Sequence, residues 1–250
     1  MLGNQIDRNN PHYQSLQEKV KPFQFDLDSF LSKVAFNLIL QNSPHAKSFN
    51  LNEYMKKLDE VLVQLTNHQV PMQYDDILLA DFDIRKIIVA LQGFSLTATN
   101  WVTPFASWIG DRRVLEIMSG VGVLAHALKE EGLDVQATDN YTATNFDFNQ
   151  LWTDIEALDA LTAIKKYGAQ CDVIIMSWCY TDELGYECLL KMREVNPNAV
   201  MIYIGEEPGR STGSKSLYDN MIELEDAQIK QINQLYPTWH GVTDKLYLIK

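Results

Sequence analysis

The stretch VLEIMSGVG, residues 114–122, is the part of the sequence that decides the fold. It starts with a short apolar run, which is typical of a buried strand, and it ends in a turn that carries Gly120 and Gly122. Apolar residues at helical spacing follow the turn. Glycines let the backbone pass close to a ligand, and the first turn of a helix presents unpaired amides. The stretch therefore predicts a nucleotide-binding loop between a strand and a helix.

Short apolar runs and helical segments continue to alternate towards the C-terminus. We predict strands at 113–117, 134–138, 172–176, 199–204 and 244–249. We predict helices at 122–131, 158–167, 184–195 and 216–235. This alternation is typical of an α/β domain whose mostly parallel sheet has helices on both faces. The strongly apolar run at 172–176 belongs at the centre of such a sheet.

The first 110 residues have a different pattern. Residues 1–20 are polar and rich in Asn and Gln, so we expect a leader of low order there. Apolar residues at helical spacing then predict helices at about 25–43, 51–67 and 74–94. These helices either cap an active site or cover one edge of the sheet. The predicted divisions are a polar leader at 1–20, a helical N-terminal region at 21–110 and an α/β domain at 111–250.

Composition and charge narrow the possible partners. The 250-residue chain has a formal net charge of −12 and no run of Lys and Arg, so nucleic acid is not an expected partner. A small molecule or a protein is the expected substrate. Because the sequence has no apolar window of about 18 residues, we expect a cytoplasmic chain without a membrane segment. Cys171, Cys179 and Cys188 match no zinc-binding spacing, so we expect reduced, packed thiols and no metal.

The stretch at 114–122 resembles the first motif of class I S-adenosylmethionine-dependent methyltransferases. In that motif an acidic residue at a strand end precedes Gly-x-Gly-x-Gly. Glu116 matches the acid, Gly120 and Gly122 match two glycines, and Met118 stands where the first glycine usually is. The resemblance covers residues 111–250 and implies a Rossmann-like, doubly wound sheet with an antiparallel terminal strand. It also implies S-adenosylmethionine as cofactor and S-adenosylhomocysteine as product, with cofactor contacts from Glu116, Met118, Ser119, Gly120 and Gly122.

A second acid stands at the end of the second predicted strand. Asp139 is followed by Asn140, and an acid at this place can accept hydrogen bonds from both ribose hydroxyls. We therefore predict that Asp139 and Asn140 bind the cofactor; a loop cap is the alternative for Asp139. The resemblance implies an adenine contact near Thr153 and Asp154. Helix capping explains those two residues equally well.

The segment Ser177-Trp178-Cys179-Tyr180 directly follows the central predicted strand. It resembles the Asp/Asn/Ser-Pro-Pro-Tyr/Phe/Trp motif of methyltransferases that act on planar amino groups. Ser177 and Tyr180 match, whereas Trp178 and Cys179 replace the two prolines. The resemblance implies that Ser177 holds the amine and also contacts the cofactor, and that the ring of Tyr180 stacks on the substrate. Packing at the sheet edge is the alternative, although ligands of open α/β sheets do bind at this end of the strands.

Two further residues, both in the loop at 205–214, are candidates for the site, although they belong to no specific motif. The loop at 205–214 follows the strand at 199–204, and there Glu206 is a candidate substrate-binding or proton-accepting residue. Arg210 in the same loop is a candidate for binding an anionic group. A flexible connection is the alternative for this loop. His126 and His240 are expected to have structural rather than catalytic roles.

Three functions remain in order of preference. The first is methyl transfer from S-adenosylmethionine to an amine or other nucleophile on a protein or small molecule. The second is a catalytically degenerate protein of the same fold that acts as a binding module. The third is a nicotinamide-dependent oxidoreductase, because the loop continues to Ala125, and alanine can replace the last glycine of a dinucleotide-binding loop.

Overall fold

The computed structural model describes residues 6–21, 27–28, 31, 51–66, 85, 89–90, 93–149, 151–239 and 241–250. The chain forms two compact units, Met1–Ala90 and Leu91–Lys250. The helices predicted at about 25–43 and 74–94 lie largely outside the described residues, and so does His240.

The N-terminal unit contains helices α1 (Pro11–Val20) and α2 (Leu51–Thr66), and the second agrees with the predicted helix at 51–67. Helix α1 falls within the stretch where we expected a leader of low order. Its first turn is capped by Asn10, whose side chain accepts a hydrogen bond from the His12 amide at 2.8 Å. Its buried face is formed by Tyr13, Leu16 and Val20. The cap and the helical spacing of these apolar residues therefore outweigh the polar composition.

The C-terminal unit contains a six-stranded sheet. Its strands are β1 (Val114–Ile117), β2 (Val135–Asp139), β3 (Glu156–Ala157), β4 (Val173–Ser177), β5 (Val200–Gly205) and β6 (Lys245–Ile249). The order across the sheet is β3-β2-β1-β4-β5-β6. Strands β1 to β5 pair in parallel, and β6 pairs with β5 in the antiparallel direction. This confirms the Rossmann-like, doubly wound sheet with an antiparallel terminal strand. Strand β3 was not predicted, because two residues show no periodicity.

Helices flank the sheet. They are α3 (Thr99–Ile109), α4 (Val123–Glu130), α5 (Ala160–Tyr167), α6 (Leu184–Val195), α7 (Lys215–Asn220) and α8 (Ala227–Leu235). Helix α3 packs against α8, with the rings of Trp101 and Tyr236 edge to face at 5.2 Å. The observed division after residue 90 therefore precedes the predicted boundary at 110 and assigns α3 to the sheet unit.

The single helix predicted at 216–235 is wrong, because two helices occupy this stretch. Helix α7 ends at Asn220, and Asp226 caps α8 by accepting hydrogen bonds from the amides of Gln228 and Ile229. Between the two helices, Ile222 exchanges backbone hydrogen bonds of 3.1 and 2.9 Å with Lys250. The chain leaves the helical path here because its backbone pairs beside β6.

The strand order determines where a site can form. The chain turns in opposite directions from β1, towards β2 on one side and towards β4 on the other. Such a switch point opens a crevice beyond the carboxyl ends of the central strands. In the described part of the chain no helix has the length and apolar character needed to span a bilayer.

Candidate active site

A cavity lies at the carboxyl ends of β1, β2 and β4, at the switch point of the sheet. Its walls include the end of β1 and the glycine loop, which we define as residues 118–122, with the first turn of α4. The turn after β2, the start of α5 and the segment after β4 complete the sheet side. A fifth wall comes from the segment before α3. The lining residues within these five walls lie at 116–124, 139–146, 159–160, 177–184 and 93–97.

The glycine loop and Asp139 are joined by hydrogen bonds. The Gly120 amide donates to Asp139 Oδ2 at 2.9 Å, and the Tyr141 amide donates to Oδ1 at 2.7 Å. Burial raises the pKa of the Asp139 carboxyl, although these amides oppose the effect. Because each carboxylate oxygen has two lone-pair sites, Asp139 can still accept hydrogen bonds from a ligand.

Glu116 brings a buried acid to the same cavity. Its side chain is almost inaccessible, with 2% of the residue exposed, and Oε2 has no hydrogen-bond partner among the described residues. Burial raises the pKa of its carboxyl to about 8, although the Ala125 amide opposes this change. An unpaired buried oxygen is costly, so a donor on a ligand is the natural partner for Glu116.

Backbone strain is concentrated around the cavity. The described residues include three non-glycine positions with positive φ: Met118 at 53°, Tyr141 at 56° and Trp178 at 53°. They follow β1, β2 and β4, and the first and third line the cavity. Each costs about 1–2 kcal/mol relative to a relaxed backbone, and such strain clusters at functional sites. The turn thus forms with Met118 in the conformation that glycine adopts more easily.

The two glycines of the loop are needed for close packing. Both have positive φ, 57° at Gly120 and 79° at Gly122. A Cβ atom at Gly120 would lie 2.8 Å from Phe146 Cε2, and one at Gly122 would lie 2.8 Å from Ile155 Cδ1. The close neighbour of this loop is therefore the chain's own connection between β2 and β3, residues 140–155.

Trp178 is held by three contacts. Its backbone amide donates to the Ile204 carbonyl at 2.8 Å, and its indole Nε1 donates to Asp244 Oδ2 at 2.8 Å. Its ring stacks on Phe94 with centroids 5.2 Å apart. The same Asp244 oxygen accepts a hydrogen bond from the Tyr236 hydroxyl at 2.7 Å. The indole therefore forms a fixed wall of the cavity.

The other three residues of the segment 177–180 differ from one another in their surroundings. Ser177 Oγ is buried and has no hydrogen-bond partner among the described residues. Cys179 is buried, and burial raises the pKa of its thiol to about 12. Tyr180 is 54% exposed at the rim. All three line the cavity, so Ser177 and Tyr180 lie where the sequence predicted a site.

Thr153 and Asp154, the residues predicted near the adenine ring, are not among the lining residues of this cavity. Thr153 and Asp154 line a separate depression formed by residues 151–155, and Thr153 Oγ1 accepts a hydrogen bond from Lys129 Nζ at 2.8 Å. Asp159 and Ala160, after β3, line the main cavity instead. Sequence reasoning missed them, although Asp159 stands at the start of a predicted helix and caps α5.

Glu206 is not among the described lining residues. It is buried, its Oε2 accepts a hydrogen bond from the Ser211 amide at 3.1 Å, and its own amide donates to Thr212 Oγ1 at 2.8 Å. These bonds organise the loop after β5. Arg210 pairs with Glu207 at 3.2 Å on the surface. Neither predicted residue of this loop is brought to the cavity.

Aromatic residues from two connections were also missed. Phe94 precedes α3 and Phe146 follows β2; their rings are edge to face with centroids 5.7 Å apart. Both line the cavity. The Gly, Ser, Thr and Asn residues at 93–100 predict only a break after the preceding helix. The sequence signals were one aromatic residue at 93–100 and four at 140–155, and neither pattern is periodic.

The comparisons with known proteins give weak structural similarity. No protein-family model and no curated protein sequence matches this chain. The 1,6-didemethyltoxoflavin-N1-methyltransferase of Burkholderia thailandensis is 13% identical, with a TM-score of 0.41, over 72% of this chain and 91% of that one. Human N-acetylserotonin methyltransferase is 13% identical, with a TM-score of 0.39, over 80% and 69%. The magnesium protoporphyrin IX methyltransferase of Synechocystis PCC 6803 is 14% identical, with a TM-score of 0.36, over 68% and 97%. Similarity at this level assigns no function to the chain.

Proposed function

We propose that this chain binds S-adenosylmethionine at the carboxyl edge of its sheet and transfers the methyl group to an amine or other nucleophile on a small molecule or protein. The observation that carries the proposal is the convergence of the glycine loop, Glu116, Asp139 and the Ser177–Tyr180 segment on one cavity. Two of these groups, Glu116 Oε2 and Ser177 Oγ, are buried without a described partner, which favours a bound ligand.

The residues of the cavity fit the chemistry of this cofactor. Asp139 retains acceptor sites for ribose hydroxyls, because the backbone amides that donate to it, including those of Gly120 and Tyr141, do not use every lone pair of its two oxygens. Asp159 and Ala160 are the candidates for the adenine ring, in place of Thr153 and Asp154. The carboxyl of Glu116, which burial keeps protonated below a pKa of about 8, becomes a charged partner when the positively charged part of the molecule lies beside it, because a nearby cation favours the ionised form.

The chain contributes mainly by positioning. S-adenosylmethionine, when bound, supplies a methyl group on a positively charged sulfur. Ser177 can hold a polar atom of the acceptor with its buried hydroxyl, and Trp178 and Tyr180 limit the acceptor's orientation. Alignment of two reactants in a closed site lowers the barrier without acid–base chemistry. The proposed site therefore needs no histidine or lysine base.

Substitution of Asp139 is expected to weaken cofactor binding. Asp139→Asn keeps the size of the side chain but removes the charge and one acceptor oxygen. Hydrogen bonds to charged groups contribute about 1.5–3 kcal/mol, so we expect about a tenfold to hundredfold loss of affinity for S-adenosylhomocysteine. Isothermal titration calorimetry with S-adenosylmethionine, S-adenosylhomocysteine and NAD measures this directly.

Asp134→Asn is the matched control, because Asp134 stands before β2 at the opposite edge of the sheet and its side chain is 80% exposed. We expect its affinity to equal that of the unmodified protein. Failure of the unmodified protein to bind either adenosyl compound would contradict the proposed function. Binding of NAD alone would favour the oxidoreductase alternative.

A further inference from the structure

The two halves of the cavity differ in charge. Glu116, Asp139 and Asp159 lie on the half formed by β1, β2 and the start of α5. We define the acceptor half as the lining residues at 93–97 and 177–180. Among the described residues this half has no charged side chain, acidic or basic. An anion placed there would lose its hydration without gaining a positive partner, and this is strongly unfavourable.

The acceptor half offers flat apolar surface. Phe94 and Trp178 are nearly parallel, with 14° between their planes and 5.2 Å between their centroids. At that distance the two rings are offset, so they overlap only in part. Both residues line the cavity, and neither is fully buried. A third flat ring can therefore extend the stack.

Asp244 fixes the orientation of this surface. It is buried, and it accepts hydrogen bonds from Trp178 Nε1 and from the Tyr236 hydroxyl. The strained backbone of Trp178 and its amide bond to Ile204 restrain the same residue. Asp244 is thus a positioning residue, since it acts on the cavity only through the indole. A rotamer fixed in this way favours rigid flat ligands over flexible ones.

Polar chemistry in the acceptor half is limited to neutral groups. The Ser177 hydroxyl is buried without a described partner. The Cys179 thiol stays protonated at neutral pH, because burial raises its pKa to about 12. No described side chain in this half readily takes a proton from an acceptor. A phenol or alcohol would need such a base before attack, whereas a nitrogen lone pair would not.

We infer that the acceptor half binds a flat, uncharged nitrogen heterocycle and excludes acceptors that carry an anionic group. This inference rests on the proposed methyl transfer. The ring nitrogen forms a bond to the methyl carbon as the carbon–sulfur bond breaks; sulfur keeps the bonding electron pair, and the positive charge passes to nitrogen. With a pyridine-type nitrogen no proton leaves. The product is a cation in a cavity whose other half carries the carboxyl groups of Glu116, Asp139 and Asp159.

Isoquinoline and isoquinoline-5-carboxylate test the inference, because they differ only in the anionic group. Their binding is measured by saturation-transfer NMR, with and without S-adenosylhomocysteine. We expect isoquinoline to bind at least about tenfold more tightly than the carboxylate, as expected for an unpaired buried charge. Trp178→Leu should weaken isoquinoline binding by about tenfold, which is typical of a lost stacking partner. With S-adenosylmethionine, mass spectrometry should detect N-methylisoquinolinium.

Trp152→Leu is the control, because Trp152 lies in the separate depression at 151–155. It should not change isoquinoline binding. Asp244→Asn retains an acceptor oxygen for the indole and should bind isoquinoline nearly normally, whereas Asp244→Leu should weaken it. Equal or tighter binding of the carboxylate, unchanged binding by Trp178→Leu, or no isoquinoline binding would overturn the inference. If S-adenosylhomocysteine fails to bind while isoquinoline is still preferred, the proposed methyl transfer fails and the ring preference stands.

Discussion

Raising the pH from about 5 to about 8 is expected to destabilise the protein through the carboxyl group of Glu116. Burial raises the pKa of this group from 4.5 to about 8 in the folded chain. Between these values the unfolded chain has released the proton and the folded chain still holds it, so folding becomes less favourable as pH rises. The loss is on the order of 4 kcal/mol across this window, with no further loss above the folded pKa.

Glu116→Gln isolates this contribution, because glutamine has the same shape and does not titrate. The variant should match the unmodified protein near the lower pH and be more stable near the upper one. Urea unfolding followed by tryptophan fluorescence gives the free energy of unfolding at each pH. Asp139 and Lys129 act on the Glu116 carboxyl of the unmodified protein, and Asp139, whose pKa is also raised, titrates in both proteins. Parallel pH profiles for the variant and the unmodified protein would refute the prediction, and Asp134→Asn serves as the surface control.

Gly120→Ala is expected to destabilise the C-terminal unit by about 2–4 kcal/mol, since two costs combine. Alanine is strained at the positive φ of 57°, and its Cβ would meet the ring of Phe146 at 2.8 Å. The loop that binds Asp139 would shift with it, so affinity for S-adenosylhomocysteine should fall as well. Thermal and urea unfolding measure the first effect, and calorimetry measures the second.

Gly132→Ala separates strain from crowding. Gly132 also has a positive φ, 89°, but a Cβ there would meet nothing within 4 Å. This control should cost about 1 kcal/mol, which is the backbone effect alone. Gly120→Ala should cost more stability than Gly132→Ala. Adding Phe146→Ala to Gly120→Ala should recover part of this difference in stability, because the crowding is removed. Equal costs for Gly120→Ala and Gly132→Ala would show that the Phe146 contact is unimportant.

The sheet could be predicted because its signals are local. Four of the strands, β1, β4, β5 and β6, are mostly apolar runs, and β2 is the more polar VQATD. The observed bounds of these five strands differ from the predicted bounds by at most one residue. Helix α1 and the break between α7 and α8 could not be obtained in the same way. Capping by Asn10 and pairing of Ile222 with Lys250 override the average character of those stretches.

The site could be predicted only where its residues lie at the ends of strands or directly after them. Asp139, Ser177 and the glycine loop take their positions from the strand ends, so the sheet alone brings them together. Phe94 and Phe146 reach the cavity from irregular connections, whose paths depend on tertiary packing rather than periodicity. The same reason explains why Asp159 lines the cavity while Asp154 does not.

The ring of Phe146 lies against Gly120. The free protein therefore divides between a form in which this ring covers Gly120 and a form in which it does not. A ligand that approaches Gly120 from the side where a Cβ would lie has to displace this ring. Exposing part of an aromatic side chain costs about 1–2 kcal/mol. The uncovered form is then a minority of the free protein, on the order of 3–20%. The apparent affinity for such a ligand is the affinity of the uncovered form multiplied by the fraction of the protein in that form. A ligand that takes this approach thus binds a minor form of the free protein.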